Sequence, residues 1–527
     1  MRIVIGFLVS LALAGVVLAQ AVHNQALNGT LFTDVTLSSG FGHIGHGKCV
    51  AMADFDNDGD LDIYLGIVYG RNKLFQNQGN LKFVDVTEAT GVGNPYDTHG
   101  AVFADFDNNG LIDLFVANNV ENASEQRGIL SQPNALYFLG GEGVFVDKAV
   151  AAVPGGVAGL VFNYSCGVTT ADVNGDGLLD IFVAKGGYRS GPECANSLYL
   201  NMGKGIFKDV AREAALADTG NGYCCAFCDY DNDGLPDLYV GNLNDKNDLN
   251  TRHLYHNDGN LHFTDVTEKL GMKANGYDVS CFWGDVDNDG NMDLFLGNSS
   301  GRGAAADKDF GKNTLFHNNG DGTFTDISKE AGVDIVTNSR GCTMGDVDND
   351  GDLDIYVTNS MWDALLFINN GKGKFTESAQ KTGGAVFYAH GCALGDLDGD
   401  GDLDLAAGNW RNVGVNNPGA WKLFKNKTNT PNFLKVNVRG VKSNRSAVMT
   451  RVYIYAAGKS RDAKSLLGMR EITAGNGTFP GNPLQVHFGL GKAPACDVVV
   501  KFPSTGREVE VKNAAAGKTI NVVEPEK

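Results

Sequence analysis

One nine-residue acidic loop occurs seven times in this 527-residue chain, and each copy runs into a β-type segment. The copies begin at Asp54, Asp105, Asp172, Asp229, Asp285, Asp346 and Asp396. The first reads Asp54-Phe-Asp56-Asn-Asp58-Gly59-Asp-Leu-Asp62 and the last Asp396-Leu-Asp398-Gly-Asp400-Gly401-Asp-Leu-Asp404. Alternate residues of a tight loop turn their side chains inward, so carboxylates at the first, third, fifth and ninth positions converge on one point. Glycine at the sixth position permits the sharp bend, and the carbonyl at the seventh completes a shell of hard oxygen donors.

The donors this pattern predicts are Asp54, Asp56, Asp58 and Asp62 in the first loop, and Asp105, Asp107, Asn109 and Asp113 in the second. The third offers Asp172, Asn174, Asp176 and Asp180, and the fourth Asp229, Asp231, Asp233 and Asp237. The fifth offers Asp285, Asp287, Asp289 and Asp293, the sixth Asp346, Asp348, Asp350 and Asp354, and the seventh Asp396, Asp398, Asp400 and Asp404. Only Asn109 and Asn174 depart from Asp, and an amide oxygen still ligates. The expected cofactor is calcium. Magnesium demands stricter octahedral geometry and keeps its waters, and an EF-hand would need a Glu at the twelfth position and flanking helices. The formal net charge of −19 agrees, because clustered carboxylates repel one another without a counterion. A single Asp-Asn-Gly cluster would read as an ordinary turn; seven in register do not.

Loop starts lie 51, 67, 57, 56, 61 and 50 residues apart, a period that marks propeller blades or arrays. Each unit carries a small-residue run before the loop, a strand after it, and a hairpin such as Leu74-Phe75-Gln-Asn77-Gln-Gly79-Asn-Leu-Lys-Phe83-Val-Asp85-Val-Thr87. Related hairpins recur at Leu136, Leu198, Leu254, Leu315 and Leu366. Four strands per unit, repeated seven times, predict an all-β chain built as a seven-bladed β-propeller over residues 28–427. The last unit lacks its outer strand, and a matching segment, Leu31-Phe32-Thr-Asp34-Val-Thr36, stands at the other end. Pairing the two would close the ring and remove both sheet edges.

The loops and hairpins resemble the FG-GAP repeats of integrin α-subunit propellers. The remainder contains Asn432-Phe-Leu-Lys-Val-Asn-Val-Arg-Gly, Asn444-Arg445, Arg470-Glu471-Ile-Thr-Ala-Gly-Asn-Gly and His487-Phe488-Gly489-Leu490-Gly491. It resembles the ASPIC/UnbV domain that follows such repeats in the cartilage acidic protein 1 family. A small β-sandwich-like domain over residues 432–524 is therefore expected. The resemblance implies an extracellular binding or adhesion module with a protein or glycan ligand.

Compartment follows from the N-terminus. Met1-Arg2 precedes an apolar run from Ile3 to Ala19, which reads as a signal peptide over residues 1–20 and implies secretion. The run is short for a membrane span, and no other stretch approaches that length. Sequons stand at Asn28, Asn122, Asn163, Asn298, Asn426, Asn444 and Asn476, so several glycans are expected on a secreted chain. Ten cysteines fit either buried thiols or disulfides, with Cys194, Cys224 and Cys228 the candidates for pairing. Charge is split: residues 432–527 hold 15 Lys/Arg against 7 Asp/Glu. That basic tail could dock on the acidic repeats or bind sulfated glycans. No nucleic-acid partner is expected for a secreted acidic chain.

No catalytic His-Glu-x-x-His, Gly-x-Ser-x-Gly or Walker loop is expected, and no enzyme is expected. One alternative is an enzyme with a transition-metal site at the channel mouth. It would use His46, His99 and His390, which precede the innermost strands of three consecutive blades, with Cys49 and Cys392 nearby. Partner contacts are expected on the long loops opposite the calcium loops, at Tyr188, Arg189, Arg302, Trp410 and Arg411.

Overall fold

The computed structural model describes residues 31–42, 45–119, 133–149, 164–186, 194–243, 252–272, 276–300, 311–410 and 419–527. Residues 1–20, and with them the expected signal peptide, lie outside these, as do Tyr188, Arg189, Arg302 and Arg411. No helix among the described residues is long and apolar enough to cross a membrane.

Seven antiparallel sheets of the same pattern follow one another. The first blade has strands His46–Ala53, Asp62–Val68, Lys73–Asn77 and Phe83–Asp85. Innermost strands of the next five are Thr98–Ala104, Ser165–Ala171, Gly222–Cys228, Tyr277–Gly284 and Ser339–Gly345. The seventh blade begins with Ala389–Gly395, and its outer strand is Phe32–Asp34, paired with Trp421–Asn426 in the register Phe32↔Asn426. That is the closure the terminal segments imply. Each innermost strand packs on its neighbours, and the seventh packs back on the first. Crowding at this inner ring requires small residues: a Cβ on Gly47 would lie 2.7 Å from the fully buried Trp421 ring.

Asparagine ties the blades together. The third-strand Asn77 donates from Nδ2 to the carbonyl of Leu61 in its own loop and to that of Leu397 in the seventh loop. Asn201, Asn257, Asn318, Asn369 and Asn426 bond the loop of the preceding blade in the same way. The second blade has Leu139 at this position.

The tail folds as two sheets over one core. Phe433–Arg439, Val486–Gly489 and Lys518–Val523 form one; Arg451–Ala456, Leu466–Glu471, Ala495–Phe502 and Arg507–Ala515 form the other. Leu434, Val452, Ile454, Phe488, Val498 and Phe502 fill the space between. The connection from Thr473 to Leu484 enters the propeller. Thr170 N donates to Ala474 O, Gly477 N to Cys225 O, and Val50 N to Phe479 O. Thr478 Oγ1 reaches the carbonyls of Tyr223 and Val279, each at 2.8 Å. Pro480–Gly481 adds a short parallel strand to His46–Ala53. The channel is thus filled from the loop side by the stretch that begins with the Arg470-Glu471-Ile-Thr-Ala-Gly-Asn-Gly motif.

No disulfide joins any of the ten cysteines, all of them buried, Cys194, Cys224 and Cys228 included, which corrects the disulfide alternative: eight lie within innermost strands, in a core where thiols pack as small apolar groups. Four sequon asparagines, Asn298, Asn426, Asn444 and Asn476, are also buried. Asn426 Nδ2 is spent on the carbonyls of Val347 and Leu403, and Asn444 Nδ2 on that of Val448. A glycan on these four is incompatible with the fold, and Asn28, Asn122 and Asn163 lie outside the described residues.

Candidate metal centres

Each loop is wound around its first carboxylate. Asp54 accepts from Asp58 N and Gly59 N at 3.0 Å each, and Asp285 accepts from Asp289 N and Gly290 N in the same manner. The fifth residue accepts from the seventh backbone N–H in all seven copies, Asn109 included. The fourth residue is left-handed, as Asn57 (φ 60°) or Gly399 (φ 77°), and the sixth is always a left-handed glycine, such as Gly351 (φ 109°). Asparagine and glycine tolerate that conformation. This explains why the fourth position alternates between those two residues, a signal the donor pattern alone does not use.

The ninth carboxylate has a bracing role. Asp62 is fully buried and accepts from Phe55 N at 3.1 Å and Asn77 N at 2.8 Å. Asp180, Asp293, Asp354 and Asp404 repeat this pair of bonds. It locks the loop to the third strand whether or not it also ligates.

Ligand atoms of Asp54, Asp56 and Asp58 lie within 4.8 Å of one another, as do those of Asp105, Asp107 and Asp113, and of Asp229, Asp231 and Asp237. Among the described residues, one carboxylate oxygen of each of Asp229, Asp287, Asp348 and Asp396 is buried without a hydrogen-bond partner. Burial raises the first carboxylates: Asp54, Asp105 and Asp172 to about 6 and Asp346 to about 7. Burial raises Asp62 and Asp113 to about 8. Buried, mutually repelling and incompletely bonded oxygens at these positions fit a hard divalent cation.

The loops differ in what leans over them. The residue before the third-strand Asn is Gln76, bonded to Asp56, in the first blade, and His256 and His317 in the fourth and fifth. His256 Nδ1 lies 3.1 Å from Asp237 and 3.4 Å from Asp231. His317 Nδ1 lies 3.0 Å from Asp293, whose hydrogen bond raises the imidazole to about 9. In the seventh blade it is Lys425, which ion-pairs with Asp398 and Asp400, while Lys435 Nζ from the tail lies 2.5 Å from Asp396.

The tail covers this acidic face. Arg451 is buried, pairs with Glu471 at 2.9 Å, and bonds the Asp229 carbonyl and Asn232 of the fourth loop. Gly489 N donates to Asp346, Ser446 Oγ accepts from Asp105 N, and His487 Nε2 meets Gly401 O at 2.9 Å. Of the two readings of the basic tail, docking on the repeats is the one observed.

His46 and His390 share the Trp410 ring, and His99 and His390 share the Phe479 ring, at the end away from the loops. His46 Nδ1 lies 2.9 Å from Trp410 O, His99 Nδ1 lies 3.8 Å from Cys166 Sγ, and His390 stacks on Trp410 with ring centroids 4.7 Å apart. One string, Gly297-Asn-Ser299-Ser-Gly301, has the letters of a serine-nucleophile elbow. Ser299 ends a strand, buried, with its hydroxyl on Asn338, rather than standing at a strand-to-helix turn.

The FG-GAP-like repeat pattern matches residues 54–116, 172–240, 243–296, 304–357 and 346–407, more than half the chain. The ASPIC and UnbV pattern matches residues 440–527. Cartilage acidic protein 1 of Homo sapiens is 25% identical over 348 residues, 62% of this chain and 50% of that protein. Its Mus musculus counterpart is 24% identical over 347 residues, with 62% and 51% covered. The chain spans about half the length of the curated relatives it matches. Among solved structures, YCF48 bound to D1 peptide gives a TM-score of 0.41 at 8% identity, covering 73% of this chain and 94% of that one. With loops, repeat order and tail all in place, this chain belongs to the FG-GAP-like repeat family and carries an ASPIC and UnbV domain at residues 440–527.

Proposed function

We propose that this chain is a secreted, calcium-stabilised propeller that acts as an extracellular binding module. The observation that carries the reading is the set of acidic loops with buried, partnerless carboxylate oxygens. Calcium would be held by the first, third and fifth residues of each loop, with the ninth contributing where Asp113 and Asp237 join the cluster. Bound there, it supplies positive charge that lets the loops and the docked tail coexist. The relatives named cartilage acidic protein 1 and the apolar run at residues 3–19 support an extracellular site of action.

The partner is an extracellular protein or glycan, met on the face opposite the calcium loops, because the tail already occupies the loop face. A glycan site on the tail has less support: Lys435 and Arg451 are committed to the propeller, and Arg461 and Lys501 lie beside Glu508. A binding role is favoured over an enzymatic one because the carboxylates are bound up in loops and braces.

The test is expression of the full chain in a secretory host. The reading predicts recovery from the medium, processed near residue 20, with calcium retained after gel filtration and a lower melting temperature in chelator. Retention inside the cell, or a melting temperature indifferent to chelator, contradicts it.

A further inference from the structure

Every innermost strand is interrupted by a β-bulge at the same place. The register breaks between Gly47 and Cys49, Thr98 and Gly100, Ser165 and Val168, Gly222 and Cys224, Asp278 and Ser280, Ser339 and Cys342, and Ala389 and Cys392. A bulge re-aims the side chain it carries. The residue six before each loop falls in each break: Lys48, His99, Cys166, Tyr223, Val279, Arg340 and His390.

These seven divide the channel into halves. Cys166, Tyr223 and Val279 are consecutive blades' contributions and form an apolar cluster with Phe479 of the inserted segment. The other four come from consecutive blades six, seven, one and two, and all carry nitrogen. Phe479 touches this half too: its ring lies 5.9 Å from those of His99 and His390, with Lys48 Nζ 5.2 Å from its centroid. The inserted segment therefore floors the polar half on the loop side, and among the described residues an approach remains from the side away from the loops. At that approach stand His46, Arg340, Tyr388 and Trp410, all half-buried. Lys48 Nζ lies 4.7 Å from the Trp410 centroid.

His390 is the second observation. It is 5% exposed, and neither ring nitrogen has a hydrogen-bond partner among the described residues. A buried imidazole without partners is costly. Burial and the neighbouring Lys48, Arg340, His99 and His46 hold it well below its ordinary pKa range. A divalent metal would meet two fixed cations, Lys48 and Arg340, which argues against the transition-metal alternative.

We propose that this half-channel is an oxyanion site: Lys48, Arg340, His99 and His390 receive a carboxylate or sulfate group, entering past Trp410 from the face opposite the calcium loops. The group is either a free anion or the acidic substituent of a saccharide. The site shares no residue with the acidic loops, so its test stands apart from theirs.

The experiment is calorimetric titration of the full chain, in calcium and at ionic strength fixed with chloride, with sulfate and separately with glucuronate. Saturable binding of at least one is expected, weakened at least tenfold in Lys48→Met and in Arg340→Met, and unchanged in the exposed-surface variant Lys208→Met. Tighter binding of glucuronate assigns the saccharide source, and equal or tighter binding of sulfate the free anion. Arg340 is half-buried, so its variant keeps the test open if Lys48→Met does not fold. Absence of saturable binding by both anions, or binding indifferent to Arg340→Met in a protein of unchanged melting temperature, overturns the proposal.

Discussion

Asn77 Nδ2 donates to the carbonyl of Leu397 at 2.7 Å, 320 residues away in sequence and one blade away in the ring. The bond lies inside the protein, beside the terminal-strand closure, and anchors the seventh loop. Replacing Asn77 with Ala orphans this carbonyl and that of Leu61. The expected loss is roughly 1–3 kcal/mol for each buried group left unpaired, read as a lower denaturation midpoint in calcium. An unchanged midpoint would mean that the asparagines are passengers in the turn.

Rising pH and chelator are expected to act together. Metal-free, Asp54 and Asp105 titrate at about 6 and Asp62 and Asp113 at about 8, chiefly through burial. A folded pKa above the unfolded one means that the fold binds the proton more tightly. Stability from these groups is therefore full below the ordinary carboxylate range and lost as pH rises through about 6 to 8. In chelator the melting temperature should fall over that interval, and the gain from added calcium should widen. Parallel curves with and without calcium would refute this.

Arg451 is buried against Glu471 and the fourth loop. Arg451→Met leaves Glu471 with its partner gone, a change that costs about 3–5 kcal/mol in buried pairs. Adding Glu471→Gln should restore much of the loss. Limited proteolysis should release the tail from the single variant first, and intact tail in both would contradict the account.

The seventh loop already has two ammonium groups on Asp396, Asp398 and Asp400. It is expected to bind calcium least tightly. Lys425→Gln combined with Lys435→Gln should add one tight site in a calcium titration; an unchanged count would show that the lysines swing aside.

The loops, four-stranded units and terminal closure are legible in sequence because each is written within a few neighbouring residues. Asn77 is not: read locally it is a turn residue, and its partner sits in another blade. The three histidines near the axis are legible from their spacing to the loops, but Lys48 and Arg340 beside them are not, since the bulge that aims them leaves no mark in composition. Asn426 fits a sequon in sequence and is a buried brace in the fold. Docking of the tail is half-legible, as a charge imbalance; insertion of Phe479 into the channel depends on packing between distant segments.

The most direct test of calcium as the structural ion is elemental analysis of the purified, untagged chain, paired with melting curves with and without chelator. The account predicts about six tightly held calcium ions per chain, none replaced by stoichiometric zinc, copper or iron, and a melting temperature that falls when they are removed. Less than one calcium per chain, with melting unchanged in chelator, would contradict it.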